Sequence, residues 1–155
     1  MFANAMQIEK ARAEDAPTLT HIALAAKRHW GYPDAWIEKW RPELEIAAAE
    51  IEKTETYRAL IGTESVGFYR LTPKSRMLEL EHIWVLPSQM GKGVGRRLFE
   101  HAVQRTRALG FRFFEIQADP NASGFYDRMG CVRTGTVVNE IDGCRHELPL
   151  FRYEI

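Results

Sequence analysis

Cysteine is scarce in this chain, with two residues, Cys131 and Cys144, among 155. They form no Cys-x-x-Cys pair and show no repeated spacing with histidine, so a structural zinc site is not expected. Two cysteines are also too few for the disulfide framework of a small secreted domain. We therefore expect two free thiols in a reducing cytoplasm.

The chain also lacks an excess of charge of either sign, because 21 lysine and arginine residues balance 21 aspartate and glutamate residues. A neutral chain has no strong general attraction to nucleic acid or to an anionic membrane, so any anion site must be local. No run approaches the ~18 apolar residues of a membrane-spanning helix. Residues 1–15 have neither the basic start nor the apolar stretch of a signal peptide. These absences predict a soluble cytoplasmic protein that binds neither nucleic acid nor membrane.

Neither an internal repeat nor a low-complexity tract divides the chain, so residues 1–155 are predicted to form a single domain. A strand at MQIEKAR precedes a helix over about residues 17–28. A second helical stretch starts near Asp34, and it is predicted to break at Pro42 and restart through Ile51, because an interior proline removes a helix hydrogen bond. Two short strands, TYRALIGT and SVGFYRLTP, then form a hairpin, and RMLELEHIWVLP continues as a longer strand.

The C-terminal half mixes strands with helices. Apolar residues recur at helical spacing from Val94 to Leu109, and Gly110 provides a stop. FRFFEIQA is typical of a buried strand, DPNASGFYDRMG of a turn and short helix, and two closing strands flank the turn IDGC. The strand, helix and strand over residues 77–118 imply a parallel pair beside antiparallel hairpins. We predict an α/β (α+β) domain with a mixed sheet of about seven strands and about four helices.

Three glycines at alternate positions, Gly91, Gly93 and Gly95, stand between a strand and a helix in VLPSQMGKGVGRR. Such a turn lets the backbone approach an anion, and the helix start adds unpaired N–H groups, which suits a pyrophosphate. The alternative is a sharp turn that only joins the two elements. A Walker loop is excluded because the GxxxxGK[ST] spacing is absent. A dinucleotide fingerprint is excluded because Leu98 stands where GxGxxG needs its last glycine.

Several motifs in a fixed order carry a resemblance to a known family. ELEHIWVLPSQMGKGVGRR gives a strand end with Val-x-Pro, a glycine turn and the start of a long helix, and DPNASGFYDRMG follows at a suitable distance. Over about residues 78–135 the chain resembles the GNAT superfamily of acetyl-CoA-dependent N-acetyltransferases, and the preceding helices and hairpin fit the same fold. The resemblance implies a GNAT-like fold, acetyl-CoA as co-substrate, and direct acetyl transfer to an amine.

The family binds the coenzyme pyrophosphate through backbone N–H groups of the glycine turn. By resemblance the corresponding residues are Met90, Gly91, Lys92, Gly93, Val94, Gly95 and Arg96. Met90 departs from the family, which commonly has glutamine or arginine there, but we expect binding to persist because the backbone supplies most donors. The side chains of Lys92, Arg96 and Arg97 either reach the coenzyme phosphates or are merely solvated.

The resemblance also implies that the strand before the turn splays from its parallel neighbour at a bulge, and that the pantetheine arm lies in the gap. By position the gap falls on Ile83, Trp84 and Val85, and one of their N–H groups would polarise the thioester carbonyl. Asn121 matches the family asparagine that hydrogen-bonds the coenzyme arm, and it also fits a helix N-cap.

Acetyl transfer to an amine needs a proton acceptor, because an alkylamine of pKa ~10.4 is almost entirely protonated at pH 7. Glu79 and Glu81 are the candidates, since they lie two apart and hence on one face of a strand; a solvated strand face is the alternative. Glu81 is preferred because it is nearer the splayed end. Tyr126 matches the family tyrosine that protonates the leaving thiolate, although a tyrosine on a short amphipathic helix can also be core.

The acceptor pocket of this fold is walled by the first helices and the last hairpin. Here Trp30, Tyr32 and Trp36 would form an aromatic wall together with Trp40, although Trp36 and Trp40 also fit a core position. The histidines show no metal-ligand spacing, so no metal is expected. We expect the acceptor to be a primary amine of a small molecule or peptide. A homodimer agrees with the resemblance, and a non-catalytic acyl-CoA-binding regulatory module is the alternative function.

Overall fold

A computed structural model describes residues 5–155, so the expectation for residues 1–15 falls partly outside the described residues. Within residues 5–155 the chain forms seven β-strands and five α-helices. The strands are β1 (Met6–Lys10), β2 (Glu55–Ile61), β3 (Glu64–Pro73), β4 (Leu78–Val85), β5 (Phe113–Gln117), β6 (Val132–Ile141) and β7 (Cys144–Glu154). The helices are α1 (Ala16–His29), α2 (Asp34–Leu44), α3 (Ala48–Lys53), α4 (Val94–Ala108) and α5 (Ser123–Arg128).

The strands form one mixed sheet in the order β1-β2-β3-β4-β5-β7-β6. β4 and β5 are parallel and are joined by the crossover helix α4, whereas the other neighbours are antiparallel. The predicted mixed sheet of seven strands with a local parallel pair is therefore confirmed. A parallel pair needs a long crossover connection, which is why the glycine turn and α4 lie directly after β4.

Each face of the sheet carries its own apolar core. α4 and α5 cover one face, where Leu98 and Phe99 pack with Phe114 of β5. α1, α2 and α3 cover the other face, where Leu19 and Ile37 are buried with partners that include β3. The five helices exceed the predicted four because α2 and α3 are separate. None of the helices within residues 5–155 is long and apolar enough to cross a membrane.

The predicted helix break at Pro42 is wrong, because α2 passes through this proline. Pro42 lies in the last turn of the helix. Its missing N–H removes one backbone hydrogen bond there, close to the end where the last carbonyl groups lack helical partners in any case. The chain leaves the helix at Glu45, which is extended, and the next N–H, that of Ile46, donates to Thr20 Oγ1 over 2.9 Å. The break thus follows from a contact with α1, which the local sequence does not reveal.

Gly67 on β3 lets α4 approach the sheet closely beside the end of β4. A Cβ added at Gly67 would lie 2.9 Å from the carbonyl oxygen of Trp84 and 3.1 Å from Cδ1 of Leu98. Both distances are too short for an ordinary contact, so this position needs glycine. The close packing holds the first turn of α4 next to the end of β4.

Candidate active site

A cavity opens where the two parallel strands separate. β4 pairs with β5 at Leu78–Phe114 and at Glu79–Glu115, and beyond these pairs the two strands diverge. The cavity has a volume of about 810 Å³ and reaches from the glycine turn at one end to the residues of α1 and α2 at the other. The predicted separation of the strands is therefore present, and it begins directly after Glu79.

A bulge on β4 lies at the point where this separation begins. The register of β4 against β3 shifts between Leu80 and His82, which leaves Glu81 without a partner on β3, a strand described along its whole length. An extra residue in one strand reverses the alternation of its side chains. As a result Glu79, Glu81 and His82 all line the cavity.

The backbone N–H groups of Val85 and Ile83 face the gap between β4 and β5. The N–H of Leu86 donates to the carbonyl of Val66 on β3 over 2.8 Å. Since successive N–H groups of a strand point to opposite sides, Trp84 also points its N–H to β3, and Val85 and Ile83 point theirs away from it. Trp84 therefore contributes its side chain to the cavity and not its N–H.

The glycine turn has the backbone shape of an anion cradle. Gly91 has φ of 75° and Gly93 has φ of 85°, in the left-handed region that favours glycine. The N–H of Met90 already donates to the carbonyl of Pro87 over 3.3 Å. The set of available donors therefore begins at Gly91, one residue later than the resemblance implied.

The donors of this cradle come from two stretches of backbone. Within the described residues the N–H groups of 91–93 have no backbone acceptor, whereas Arg97 is the first of the helix to find one, donating to Gly93 over 3.1 Å. The N–H groups of residues 94–96 belong to the first turn of α4, where a helix offers no internal acceptor. Gly95 itself packs closely, because an added Cβ would lie 3.3 Å from the ring of Phe125.

The side chains near the turn differ in where they point. Those of Met90 and Arg96 line the cavity, and Arg96 also pairs with Glu100 of α4 at 3.0 Å. Val94 is buried in the core, so only its N–H is available to a ligand. Arg97 instead donates to the carbonyl of Met6 on β1 over 3.3 Å, which directs it away from the cavity. The side chain of Lys92 is exposed and lies outside the cavity lining.

Glu79 and Glu81 share a cationic environment. Lys74 Nζ lies 3.3 Å from a carboxylate oxygen of each, and Arg70 donates to Glu81 over 3.0 Å. Burial raises the pKa of the Glu81 carboxyl, but the neighbouring Thr72 hydroxyl, the hydrogen bond and charge of Arg70 and the charge of Lys74 outweigh it and lower this pKa to about 2. Glu81 is therefore ionised at any working pH and is a weak proton acceptor.

Replacing Glu81 by glutamine should lower the free energy of unfolding in a pH-dependent way. The folded-state pKa of about 2 lies below the ordinary 4.5, so the stabilisation is complete above about pH 4.5 and is lost as the pH falls towards 2. The shift corresponds to at most about 3 kcal/mol. Urea unfolding of the unaltered chain and of Glu81→Gln at pH 7 and pH 3 measures the difference.

The control for this comparison is Glu147→Gln, because Glu147 pairs with Arg145 on the surface, with half of its side chain exposed. Exposed pairs contribute little, so this variant should show almost no change at either pH. A difference for Glu81→Gln that is equally large at pH 7 and pH 3 would contradict the lowered pKa.

His82 holds its ring proton on Nε2. The indole N–H of Trp84 donates to His82 Nδ1 over 2.9 Å, so Nδ1 carries the lone pair. Burial and the charge of Arg70 lower the pKa of His82 to about 4, against the opposing charge of Glu81. At neutral pH the ring is therefore a neutral donor through Nε2 and is not available there as a proton acceptor.

Tyr126 of α5 lies in the cavity wall and is otherwise buried, with 5% of its surface exposed. Burial raises the pKa of the phenol, and so does the negative charge of Asp119. The hydroxyl therefore keeps its proton throughout the working range. Phe125 beside it also lines the cavity and packs against Gly95 and Phe99.

A buried ion pair joins α1 to the turn after β5. Lys27 Nζ lies 2.6 Å from Asp119, and the two side chains are 9% and 6% exposed. Asp119 also accepts from the N–H of Asn121 over 2.8 Å, so Asp119, and not Asn121, is the N-cap of the short 3-10 turn Pro120–Ala122. Removing one partner of such a pair leaves a buried charge, which typically costs about 3–5 kcal/mol.

The aromatic residues of α2 and of the link between α1 and α2 are divided between the cavity and a cluster. Trp30 and Trp40 line the cavity, whereas Tyr32 and Trp36 pack with Trp40 and with His146 of β7. The cation on these rings is the chain's own, because Lys27 Nζ lies 4.3 Å from the ring centre of Trp40 and 4.9 Å from that of Tyr32. The predicted aromatic wall therefore reaches the cavity through Trp30 and Trp40.

The comparisons with known proteins agree with this geometry. The sequence profile of the acetyltransferase (GNAT) domain family matches residues 16–147, most of the chain. The chain belongs to this family. Membership of this family agrees with the resemblance over residues 78–135.

Relatives of this GNAT domain are distant. A peptidyl-lysine N-acetyltransferase of Salmonella typhimurium, YjaB, is 33% identical over 87 residues, which are 56% of this chain and 54% of that protein. The match thus spans about half the length of this curated relative.

Two solved structures share the fold along almost the whole chain. A GCN5-related N-acetyltransferase from Rhodopseudomonas palustris has a TM-score of 0.79 at 20% identity, with 100% of this chain and 99% of that chain covered. The PaiA N-acetyltransferase from Thermoplasma acidophilum, solved in complex with coenzyme A, has a TM-score of 0.77 at 21% identity, with 97% and 99% covered. At these identities the likeness shows the fold.

The residues of this GNAT domain fit acetyl-CoA. The left-handed glycines and the unpaired N–H groups of residues 91–96 suit a pyrophosphate, and the gap beside Val85 and Ile83 suits an extended arm that pairs like a strand. Among residues 5–155 no three histidine, cysteine, aspartate or glutamate side chains lie close enough together to hold a metal ion.

No sequence motif assigned a role to four residues that line the cavity of the GNAT domain: Lys27, His82, Asp119 and His146. The place of His82 beside Glu81 could have drawn attention to it. Lys27 and Asp119 are 92 residues apart, and no local pattern joins them. Sequence reasoning alone could not have found that pair.

Proposed function

We propose that this GNAT domain transfers the acetyl group of acetyl-CoA directly to a primary amine of a peptide or small molecule. The observation that carries this proposal is the continuous cavity between the anion cradle at Gly91–Arg96 and the carboxylates of Glu79 and Glu81. A lysine side chain of a peptide is the acceptor that we favour, because the relative in Salmonella is a peptidyl-lysine N-acetyltransferase. We place the reaction in the cytoplasm.

Acetyl-CoA supplies an acyl thioester, which an amine can attack without a covalent enzyme intermediate. The N–H groups of residues 91–96 bind the pyrophosphate, assisted by the partial positive charge of the α4 N-terminus. The N–H of Val85 or Ile83 donates to the thioester carbonyl and stabilises the negative charge that develops on its oxygen. Coenzyme A bound to the Thermoplasma relative supports this use of the fold.

The acceptor amine must lose a proton, and Glu79 and Glu81 provide the negative charge that receives it. Because Thr72, Arg70 and Lys74 hold the pKa of Glu81 at about 2, the proton does not remain on this carboxylate. A water between the amine and the carboxylate pair carries it to solvent, and the carboxylates orient the amine by accepting its hydrogen bonds.

Tyr126 donates the proton that the leaving thiolate needs, since its raised pKa keeps the phenol protonated in the cavity wall. No cysteine takes part as a nucleophile. Burial and the charge of Asp127 raise the pKa of Cys131 to about 12, so this thiol is almost wholly protonated at neutral pH. Cys144 lies exposed at the start of β7.

Release of free coenzyme A with a panel of acceptors tests the proposal. The panel contains a lysine peptide with a blocked N-terminus, the same peptide with its lysine also blocked, a peptide with a free N-terminus and several small amines. We expect the fastest release with the first peptide and none above hydrolysis with the second. Binding of acetyl-CoA without release for any amine would contradict the proposal and favour a regulatory module.

Replacing Gly93 by alanine should weaken acetyl-CoA binding about tenfold, because a Cβ disfavours the left-handed backbone that aims the N–H groups by roughly 1–2 kcal/mol. Gly110 provides a matched control. It has φ of 84° against 85° at Gly93, and an added Cβ meets nothing within 4 Å at either position. Both variants should lose similar stability, and calorimetry should find weaker binding for Gly93→Ala alone. An unchanged Kd for Gly93→Ala would remove the pyrophosphate from this turn.

A further inference from the structure

The buried network around Asp119 reaches from the acceptor wall to the turn that carries Asn121. Asp119 accepts four hydrogen bonds, from Lys27 Nζ, from the hydroxyl of Tyr32, and from both the backbone N–H and the side-chain amide of Asn121. Burial raises the pKa of Asp119, but the charge and hydrogen bond of Lys27 and the hydrogen bonds of Asn121 lower it overall. Asp119 is therefore a carboxylate, which accepts hydrogen bonds and donates none.

The direction of every hydrogen bond in this network follows from that charge. Burial and the charge of Asp119 raise the pKa of Tyr32, so Tyr32 keeps its proton and donates it to Asp119 at 3.1 Å. The oxygen of Tyr32 is then left to accept, and the side-chain amide of Asn121 donates to it over 3.0 Å. The same amide nitrogen donates to Asp119 over 2.9 Å.

The Asn121 amide thus donates its two hydrogens to the network, one to Tyr32 and one to Asp119. A rotated amide would place its oxygen against the carboxylate of Asp119 and against a hydroxyl whose proton is already committed, which is electrostatically unfavourable. The amide oxygen of Asn121 is therefore turned away from the network. Because Asn121 lies in the lining of the cavity, this oxygen is an acceptor for an N–H group inside it.

We propose that Lys27, Tyr32 and Asp119 are positioning residues that hold the amide of Asn121 with its oxygen towards the coenzyme arm. The arm contains amide N–H groups, and an oxygen fixed in advance binds one of them without first losing rotational freedom. This inference rests on the proposed function, since it requires that the arm lies in the gap. It gives a role to the Lys27–Asp119 pair, which the reaction itself does not use.

Coenzyme A binding, measured by calorimetry without turnover, tests the inference. Tyr32→Phe removes one of the two acceptors of the Asn121 amide and should raise the Kd for coenzyme A about threefold to tenfold, the worth of one ordinary hydrogen bond. In an Asn121→Ala background the same change should have almost no effect, because Tyr32 then has nothing to position. A purely structural role of Tyr32 would instead raise the Kd equally in both backgrounds.

The control is Tyr57→Phe, because Tyr57 packs against Tyr69 and His101 under α4 on the opposite face of the sheet. It should leave the Kd unchanged. An equal rise in both backgrounds, or no rise in either, would overturn the positioning role.

Different results would reject the proposed function and the positioning role of Lys27, Tyr32 and Asp119. If the unaltered chain does not bind coenzyme A, both the proposed function and this inference are rejected. If it binds coenzyme A and the Asn121→Ala background makes no difference, the inference alone is rejected. A kinetic measurement adds a second readout, because loss of positioning should raise the KM for acetyl-CoA more than it lowers kcat.

Discussion

Replacing Tyr126 by phenylalanine should lower kcat about 100-fold to 1,000-fold and leave the Kd for acetyl-CoA almost unchanged. A positioned general acid contributes a factor of this size. The phenylalanine ring keeps the shape of the buried side chain, which is 5% exposed, so the cavity wall should stay in place. Steady-state assays of coenzyme A release give kcat, and calorimetry gives the Kd for acetyl-CoA.

The physical reason lies in the burial of the cavity wall around Tyr126. Burial disfavours the ionised form of a thiol as it does that of this phenol, so a thiolate released beside Tyr126 would be a strong base and would take a proton from it. Burial of Tyr126 therefore does not prevent its action as an acid.

The control for this variant is Tyr153→Phe, since Tyr153 packs against Phe99 and Phe114 away from the cavity. It should retain full turnover. A Tyr126→Phe enzyme with normal kcat would reject the acid role, whereas an equal loss in both variants would indicate general damage to the core. A fall in affinity alone would make Tyr126 a binding residue.

The sequence predicted the parts of the fold that local chemistry decides. Gly110 ends α4 with φ of 84°, a conformation that glycine adopts readily, and the apolar spacing from Val94 predicted the helix itself. The parallel pair of β4 and β5 followed from the strand, helix and strand order. The end of α2 could not be predicted in the same way, because Thr20 belongs to α1 and Ile46 to the link between α2 and α3.

The same distinction, between features set by consecutive residues and features set by contacts between segments, applies to the candidate site. The glycine turn and the bulged strand were recognised from motifs, because their function depends on the backbone of consecutive residues. The charge state of Glu81 was not, since Arg70 on the neighbouring strand and Lys74 after it determine it. The aromatic wall could be predicted from the sequence, but the position of Lys27 on Trp40 could not. Contacts between separate segments decide both of these features.

Replacing both Glu79 and Glu81 by glutamine should lower kcat/KM about 100-fold at pH 7 and less than about tenfold at pH 10, on the scale of general base catalysis. The sign follows from the amine. Its pKa of ~10.4 leaves it protonated at pH 7, so the enzyme must remove a proton there, whereas near pH 10 a large share is already neutral. The deficit of the variant should therefore shrink as the pH rises.

The single variants Glu79→Gln and Glu81→Gln distinguish the contributions of the two carboxylates to kcat/KM. Glu81 stays ionised at every pH of the assay because its pKa is about 2, so the pH dependence of the deficit comes from the amine and not from this residue. Glu115→Gln is the control, since Glu115 pairs with Glu79 across the strands but forms its ion pair with Arg152 at 2.7 Å. If the deficit of the double variant is the same at pH 7 and pH 10, the carboxylates do not remove the proton. They would then act by holding the ammonium group, and the loss would appear in the KM for the acceptor.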